Sequence, residues 1–212
     1  SSRELFFTYA KRQSGGAGTA VAKATLNAEG TALPGLETIF EMAPGSSGGR
    51  HFGSRMLEAQ DGSLYLTIGD RGARPSAQDL GIQRGSVERI LRDGTIPSDN
   101  PFDSQADGRI WTGEHGARGG DEINLVAEGA NYGWPVISYG RHYSGFRIGE
   151  GTEKEGMEQP AFFWDPSIAP SGMMVYSGAL WPEWEGDIFV GSLKFDMISR
   201  LEGGPGGVEE AE

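Results

Sequence analysis

The sequence predicts an all-β chain, and three observations lead there. Segments that open on a charged or turn residue and run into alternating or continuous apolar residues recur along it: "RELFFTYA" (Arg3–Ala10), "DGSLYLTIGD" (Asp61–Asp70), "DGRIWTGEHG" (Asp107–Gly116) and "EGDIFVGSLK" (Glu185–Lys194). Patterning of that kind marks strands, and the Asp-Gly or Glu-Gly pair heading the last three segments supplies the positive φ a tight hairpin needs. Glycine makes up 35 of the 212 residues, scattered between apolar runs with no triplet period, as turns between short strands would place it. No long segment keeps apolar residues at helical spacing without a glycine or proline breaking it.

The apolar starts Leu5, Leu64, Ile110 and Ile188 are spaced like propeller blades of about 40–50 residues with loop insertions. A β-propeller with about four recognisable blades, in one domain spanning residues 1–212, is therefore expected, with a β-sandwich as the rival. Secondary strands fall at Thr19–Leu26, Ser86–Arg92, Asp121–Val126 and Met197–Glu202. The stretch "FFWDPSIAPSGM" (Phe162–Met173) has two prolines and a glycine among its apolar residues, so an irregular loop crossed by no regular strand or helix is expected there.

Thirty acidic against eighteen basic residues give a net charge of −12, which repels phosphate backbones and anionic lipid surfaces and argues against nucleic acid as a partner. The absence of cysteine excludes disulfides, thiolate metal sites and a cysteine nucleophile. No apolar run reaches the length of about 18 residues that spans a bilayer, so no membrane insertion is expected. The first residues do not read as a signal peptide, which leaves a mature or trimmed chain, or a cytosolic one.

Candidate chemistry concentrates in three stretches. His51 sits in the glycine-flanked "SGGRHFGSRM" before a strand, and Asp70 ends that strand. Loops on a rigid scaffold carry function and histidine transfers protons near neutrality, so the two are a candidate site; a structural histidine and a turn aspartate are the alternatives. In "EHGARGGDEINLVAEGANYGWP" (Glu114–Pro135) the carboxylates of Glu114, Asp121 and Glu122, with carbonyls freed by glycine-rich backbone, are hard oxygen donors of the type calcium takes in sets of about six to eight. The spacing is not that of an EF-hand, and a solvated turn is the alternative. The Phe162–Met173 loop is either an inter-blade connection or a wall facing a cofactor. Lys194, closing a strand of otherwise apolar residues, is either solvated or reaches an anion.

On three long motifs, "GGRHFGSRM…DGSLYLTIGDRG", "GEHGARGGDEINLVAEGANYGWP" and "FFWDPSIAPSGM…FVGSLK", the chain resembles the aldose sugar dehydrogenases that use pyrroloquinoline quinone, the soluble glucose dehydrogenase superfamily. With the intervening "AQDLGIQRGSVERILRDGTIPSDNPF" the likeness covers most of the sequence. It implies a six-bladed propeller, usually exported to the periplasm, that oxidises the anomeric carbon of an aldose with quinone and calcium on the channel axis and passes electrons to an external acceptor. Carried over residue by residue, it makes His51 the general base for the sugar's anomeric hydroxyl and Asp70 its assistant. The carbonyls of Gly116 and Ala117 match ligands of the calcium that grips the quinone. Glu122 and the backbone of Tyr132 match ligands of a second, structural calcium. Lys194 matches a lysine on the cofactor's carboxylates, and the loop around Trp164 and Asp165 a wall of its pocket.

Several features depart from the family pattern. Ala117 stands where the family often has proline, a small change because the ligand atom is a carbonyl. The chain begins where the family's second blade would. A segment with an Arg-Asn pair is absent between Phe102 and Asp103, and the sequence ends before an "RxRD"-type segment. An incomplete propeller is the literal expectation. The rival functions are a calcium-dependent lactonase-like hydrolase and a non-catalytic calcium-binding propeller module.

Overall fold

The computed structural model describes residues 3–98, 110–204 and 207–211. Among these there are thirteen strands, two short 3₁₀ turns and no α-helix. The chain divides into two compact units, Ser1–Gly108 and Arg109–Glu212.

The first unit holds two three-stranded antiparallel meanders. β1 (Glu4–Gln13) and β2 (Gly16–Thr25) pair from Glu4↔Thr25 to Gln13↔Gly16, closing over a two-residue turn, and β3 (Glu37–Glu41) adds to β2. The second meander is β4 (Met56–Glu58), β5 (Leu64–Ile68) and β6 (Ser86–Ile90). The expected Asp-Gly turn joins β4 to β5: Asp61 Oδ1 accepts the Ser63 amide at 2.8 Å and Gly62 has φ +83°. Alternation along β5 sends Leu64, Leu66 and Ile68 inward, where they meet Val21, Met42 and Ile90 in the core of this unit. Leu66 is fully buried, and its truncation to alanine would cost about 2–5 kcal/mol.

The second unit repeats the scheme. β7 (Trp111–Glu114), β8 (Asp121–Leu125) and β9 (Phe162–Trp164) form one meander. β10 (Pro170–Val175), β11 (Ile188–Ser192), β12 (Ile198–Gly204) and β13 (Gly207–Glu210) form another. Ile123, Trp164, Ile168, Ile188, Val190, Leu201 and Val208 make its core. Small sheets of sequence-consecutive antiparallel strands are the units that propeller blades are built from, and the four sheets among the described residues match the four blades the sequence indicates.

The stretch Phe162–Met173 corrects one expectation. Strand β9 occupies its start and β10 its end, and only residues 165–169 are irregular. Proline does not break β10 because Pro170 is its first residue, where an unmade ladder bond is tolerated, and the register then shifts between Pro170 and Met173. The head of "DGRIWTGEHG", Asp107–Arg109, and the Phe102–Asp103 junction lie outside the described residues. No helix is long and apolar enough to cross a membrane among the described residues.

Candidate active site

In the first unit His51 and Asp70 meet: Nδ1 of His51 lies 2.6 Å from Oδ1 of Asp70. The histidine side chain is 55% exposed and the aspartate side chain 5%. A buried carboxylate therefore holds one ring nitrogen while the other edge of the imidazole is open to solvent, the arrangement of an oriented base. Asp70 Oδ1 also accepts the Gly72 amide at 2.8 Å, which closes a tight turn around Arg71. The His51 backbone is left-handed, φ +54°, and lies directly on the end of β5: a Cβ on Gly69 would stand 2.3 Å from the His51 carbonyl oxygen. Strands of the same unit fix the loop's far side, with Thr19 Oγ1 donating to the Phe52 carbonyl and Thr8 Oγ1 to that of Ser54, each at 2.6 Å.

In the second unit the acidic residues of "GEHG…GGDEIN" do not act together. Adjacent strand residues face opposite ways, so Asp121 and Glu122 part. Asp121 is fully buried: its Oδ1 accepts the Gly116 amide at 2.7 Å, and its Oδ2 accepts Ser167 Oγ at 2.7 Å and the Ala169 amide at 2.8 Å. It is a clamp between two loops, with both carboxylate oxygens engaged. Glu122 instead faces Glu114 across the β7–β8 ladder. Asn124 Nδ2 donates to both carboxylates, at 3.1 Å to Glu114 and 3.5 Å to Glu122.

Burial, then the charge of Glu114, pushes the Glu122 carboxyl up to about 7. Glu114 is exposed as a residue, yet desolvation by the protein around its carboxyl raises its pKa as well. The buried Asn124 Oδ1 has no hydrogen-bond partner among the described residues. Two opposed carboxylates and an amide oxygen without a donor fit a hard cation. Because no cluster of three or more His, Cys, Asp or Glu occurs among the described residues, a full ligand set there would need carbonyls or water. Tyr132 follows β8 and is tied to its end through the hydroxyl, which donates to the Leu125 carbonyl at 2.5 Å and accepts the Ala127 amide at 2.7 Å.

A cleft of about 790 Å³ in the same unit gathers Ala117, Asp165 and Lys194. Arg118, Arg141 and Tyr143, which the sequence reading passed over, line it too. Asp121 sets two of its walls by clamping Gly116 and Ser167–Ala169. No backbone N–H of the described residues bonds the carbonyl of Gly116 or Ala117, so both keep lone pairs for a cation. Lys194 Nζ donates to the Ser167 carbonyl at 3.0 Å and lies 4.7 Å from the Phe195 ring centroid, leaving capacity for an anion. Three cations against the single carboxylate of Asp165 suit a polyanionic ligand. Trp164 is not among these residues. Its ring is buried in the blade core, edge-on to Phe162 at 5.0 Å, and its Nε1 donates to Glu210, so in the described contacts it supports the adjoining loop from behind rather than facing the cleft.

The blades are those of a β-propeller chain, with a histidine–aspartate site in the first unit and a polar cleft in the second. A family model described as glucose / sorbosone dehydrogenase matches residues 1–109 and 103–212, and the chain belongs to that family. It is 37% identical over 218 residues to the aldose sugar dehydrogenase YliI of Escherichia coli (strain K12), covering 91% of this chain and 59% of that relative. The crystal structure of the soluble aldose sugar dehydrogenase (Asd) from Escherichia coli in the apo-form superposes with a TM-score of 0.91 at 35% identity, covering 99% of this chain and 67% of that one. The PQQ-bound form of an aldose sugar dehydrogenase from Streptomyces coelicolor shares the fold, with a TM-score of 0.77 at 21% identity over 100% of this chain and 62% of that one. The chain thus spans about 59% of the length of that curated relative.

Proposed function

We propose that the chain carries the machinery of a quinone- and calcium-dependent aldose oxidation, in a periplasmic or secreted protein that hands electrons to an external acceptor. The observation behind this reading is the 2.6 Å contact between a solvent-facing His51 and a buried Asp70, within a chain of the glucose / sorbosone dehydrogenase family. Asp70 accepts the Nδ1 proton and so leaves the lone pair of His51 on Nε2, the open edge of the ring. There Nε2 takes the proton of the anomeric hydroxyl, and Asp70 stabilises the imidazolium that results. The C–H bond of the same carbon breaks as the C=O of the lactone forms, so the sugar loses two electrons and two hydrogens in all. When bound, the quinone supplies the hydride acceptor and calcium the Lewis acid that polarises it.

In the second unit Lys194 offers its ammonium to a cofactor carboxylate, and Asp165 and Ala117 shape the surface beside it. The carbonyls of Gly116 and Ala117 would hold the calcium beside the cofactor. Glu122, Glu114 and Asn124 would hold a structural one, with the backbone of Tyr132 as a further ligand. The test is to titrate the apoprotein with pyrroloquinoline quinone and calcium and follow the cofactor absorbance while adding glucose. Bleaching on sugar supports the oxidation; an unchanged chromophore with lactone hydrolysis would replace it by a hydrolase, and calcium uptake without quinone affinity by a binding module.

A further inference from the structure

We propose that Arg71 is the positioning residue for the His51–Asp70 pair, a role that rests on the reading of His51 as the base. Arg71 is 2% exposed, rare for an arginine and costly where donors go unused; its buried Nε has no partner among the described residues, so the terminal nitrogens carry its bonds. Its two terminal nitrogens donate to the carbonyls of Arg50 and Gly48, and the guanidinium carbon lies 3.2 Å from the centroid of the Phe52 ring. The residues on either side of His51 are therefore held by one planar group, whose fork matches two carbonyls that a point charge could not span. Thr19 takes the next alternate carbonyl, that of Phe52, so the strap is gripped at residues 48, 50 and 52.

The backbone of Arg71 serves the other partner. With φ +57° it forms the centre of the turn that Asp70 Oδ1 closes on the Gly72 amide. A left-handed conformation is uncommon for a long side chain and persists only where its surroundings over-determine it. Gly48 completes the contact, since a Cβ there would stand 2.4 Å from the Arg71 carbonyl oxygen. One residue thus shapes the turn that aims Asp70 and anchors the strap that aims His51, without facing substrate itself.

The experiment compares Arg71→Met and Arg71→Lys with the unaltered chain, using a readout that needs no turnover: the downfield proton resonance of the His51 Nδ1–H, assigned by its loss in His51→Gln. Arg71→Met removes both donors, while Arg71→Lys keeps the charge and loses the fork. In folded variants the resonance is expected to vanish or broaden, and in quinone-loaded protein kcat should fall about 10- to 10²-fold with KM for the sugar nearly constant, the cost of misplacing a reacting group. Folded variants that keep the resonance and lose only melting temperature would overturn the proposal, because the guanidinium would then support the fold alone. Failure of both variants to fold overturns it for the same reason. If the unaltered chain shows no sugar oxidation, the proposed function fails, while the resonance still decides what Arg71 does.

Discussion

Asp70 in the first unit and the Glu114–Glu122 pair in the second are carboxylates set at or beside strand ends, yet their surroundings are opposite. Asp70 has its donors in place, the His51 ring and the Gly72 amide on one oxygen. The glutamates share the amide N–H donors of Asn124, whose own Oδ1 has no partner among the described residues, and otherwise face each other. A buried carboxylate supplied with directional donors becomes a rigid acceptor and can orient a base. A pair lacking them has its pKa values raised and would be relieved by a cation. The same functional group thus sits in two opposite environments, and substitutions on either side test whether the division is functional.

The largest effect is expected at the first of these places. His51→Gln should lower kcat of quinone-loaded protein by about 10²–10⁴-fold, the usual loss with a general base, and leave quinone affinity nearly intact. Asp70→Asn should also lower kcat, by a smaller factor, because the amide no longer enforces the tautomer that leaves Nε2 unprotonated. Steady-state rates beside a direct quinone titration check both. An active histidine variant with full turnover would reduce the dyad to a structural contact.

At the second place calcium should raise the melting temperature. Saturation to 100 times the dissociation constant stabilises by about 2.7 kcal/mol, and in a chain of this size that is about 5–10 °C. Glu122→Gln should remove most of the gain while melting normally in chelator. Identical scans of the unaltered chain with calcium and with chelator would leave the carboxylate pair without a cation.

The cleft sharpens the comparison further, because there cations outnumber carboxylates: Arg118, Arg141 and Lys194 against Asp165. Lys194→Ala should weaken quinone binding by about tenfold, one charge-assisted contact at a solvent-exposed amine, with little change in melting temperature. Fluorescence quenching against added quinone measures it. Unchanged affinity with lowered stability would make the bond to the Ser167 carbonyl the only task of this lysine.

How much of this was legible in the sequence depends on whether the signal was local. Alternation in "SLYLTI" and the Asp61-Gly62 turn are properties of neighbouring residues, and β5 and its hairpin follow from them. β13 carries no such signal. "GVEE" is a poor strand by composition, and it is held by Val208 in the core and by Glu210, which accepts from Ser199 Oγ and Trp164 Nε1. The stretch "FFWDPSIAP" reads as a breaker, yet β9 ends before its first proline and β10 starts at its second.

Within the site, His51 and Asp70 could be picked out as residue types flanking one strand, but not the 2.6 Å contact that the left-handed turn at His51 allows. Asp121 and Glu122 looked like one acidic pair until the strand turned them to opposite sides. Arg71 drew no notice in the sequence, because nothing in a linear sequence announces that a loop will fold back over a guanidinium.

The smallest effect separates the two carboxylate sites by pH in the absence of metal. Glu122 titrates at about 7 in the folded chain against 4.5 for an unperturbed glutamate, with burial as the first cause and Glu114 as the second. The folded state then holds a proton that the unfolded state has released, so the native form binds more protons throughout the window from 4.5 to about 7. Stability contributed by this group is complete below that window and is lost as pH rises through it, the reverse of the usual salt-bridged carboxylate. In chelator, the melting temperature of the unaltered chain should fall across the window more steeply than that of Glu122→Gln, by about 2–4 °C for each kcal/mol removed. The difference between the two curves isolates this site, since the other titrating groups are common to both chains. Saturating calcium should cancel the difference in slope, because the cation favours the ionised pair. Parallel curves in chelator would mean that the opposed glutamates are well solvated, and the contrast with Asp70 would collapse to a difference in hydrogen bonding alone.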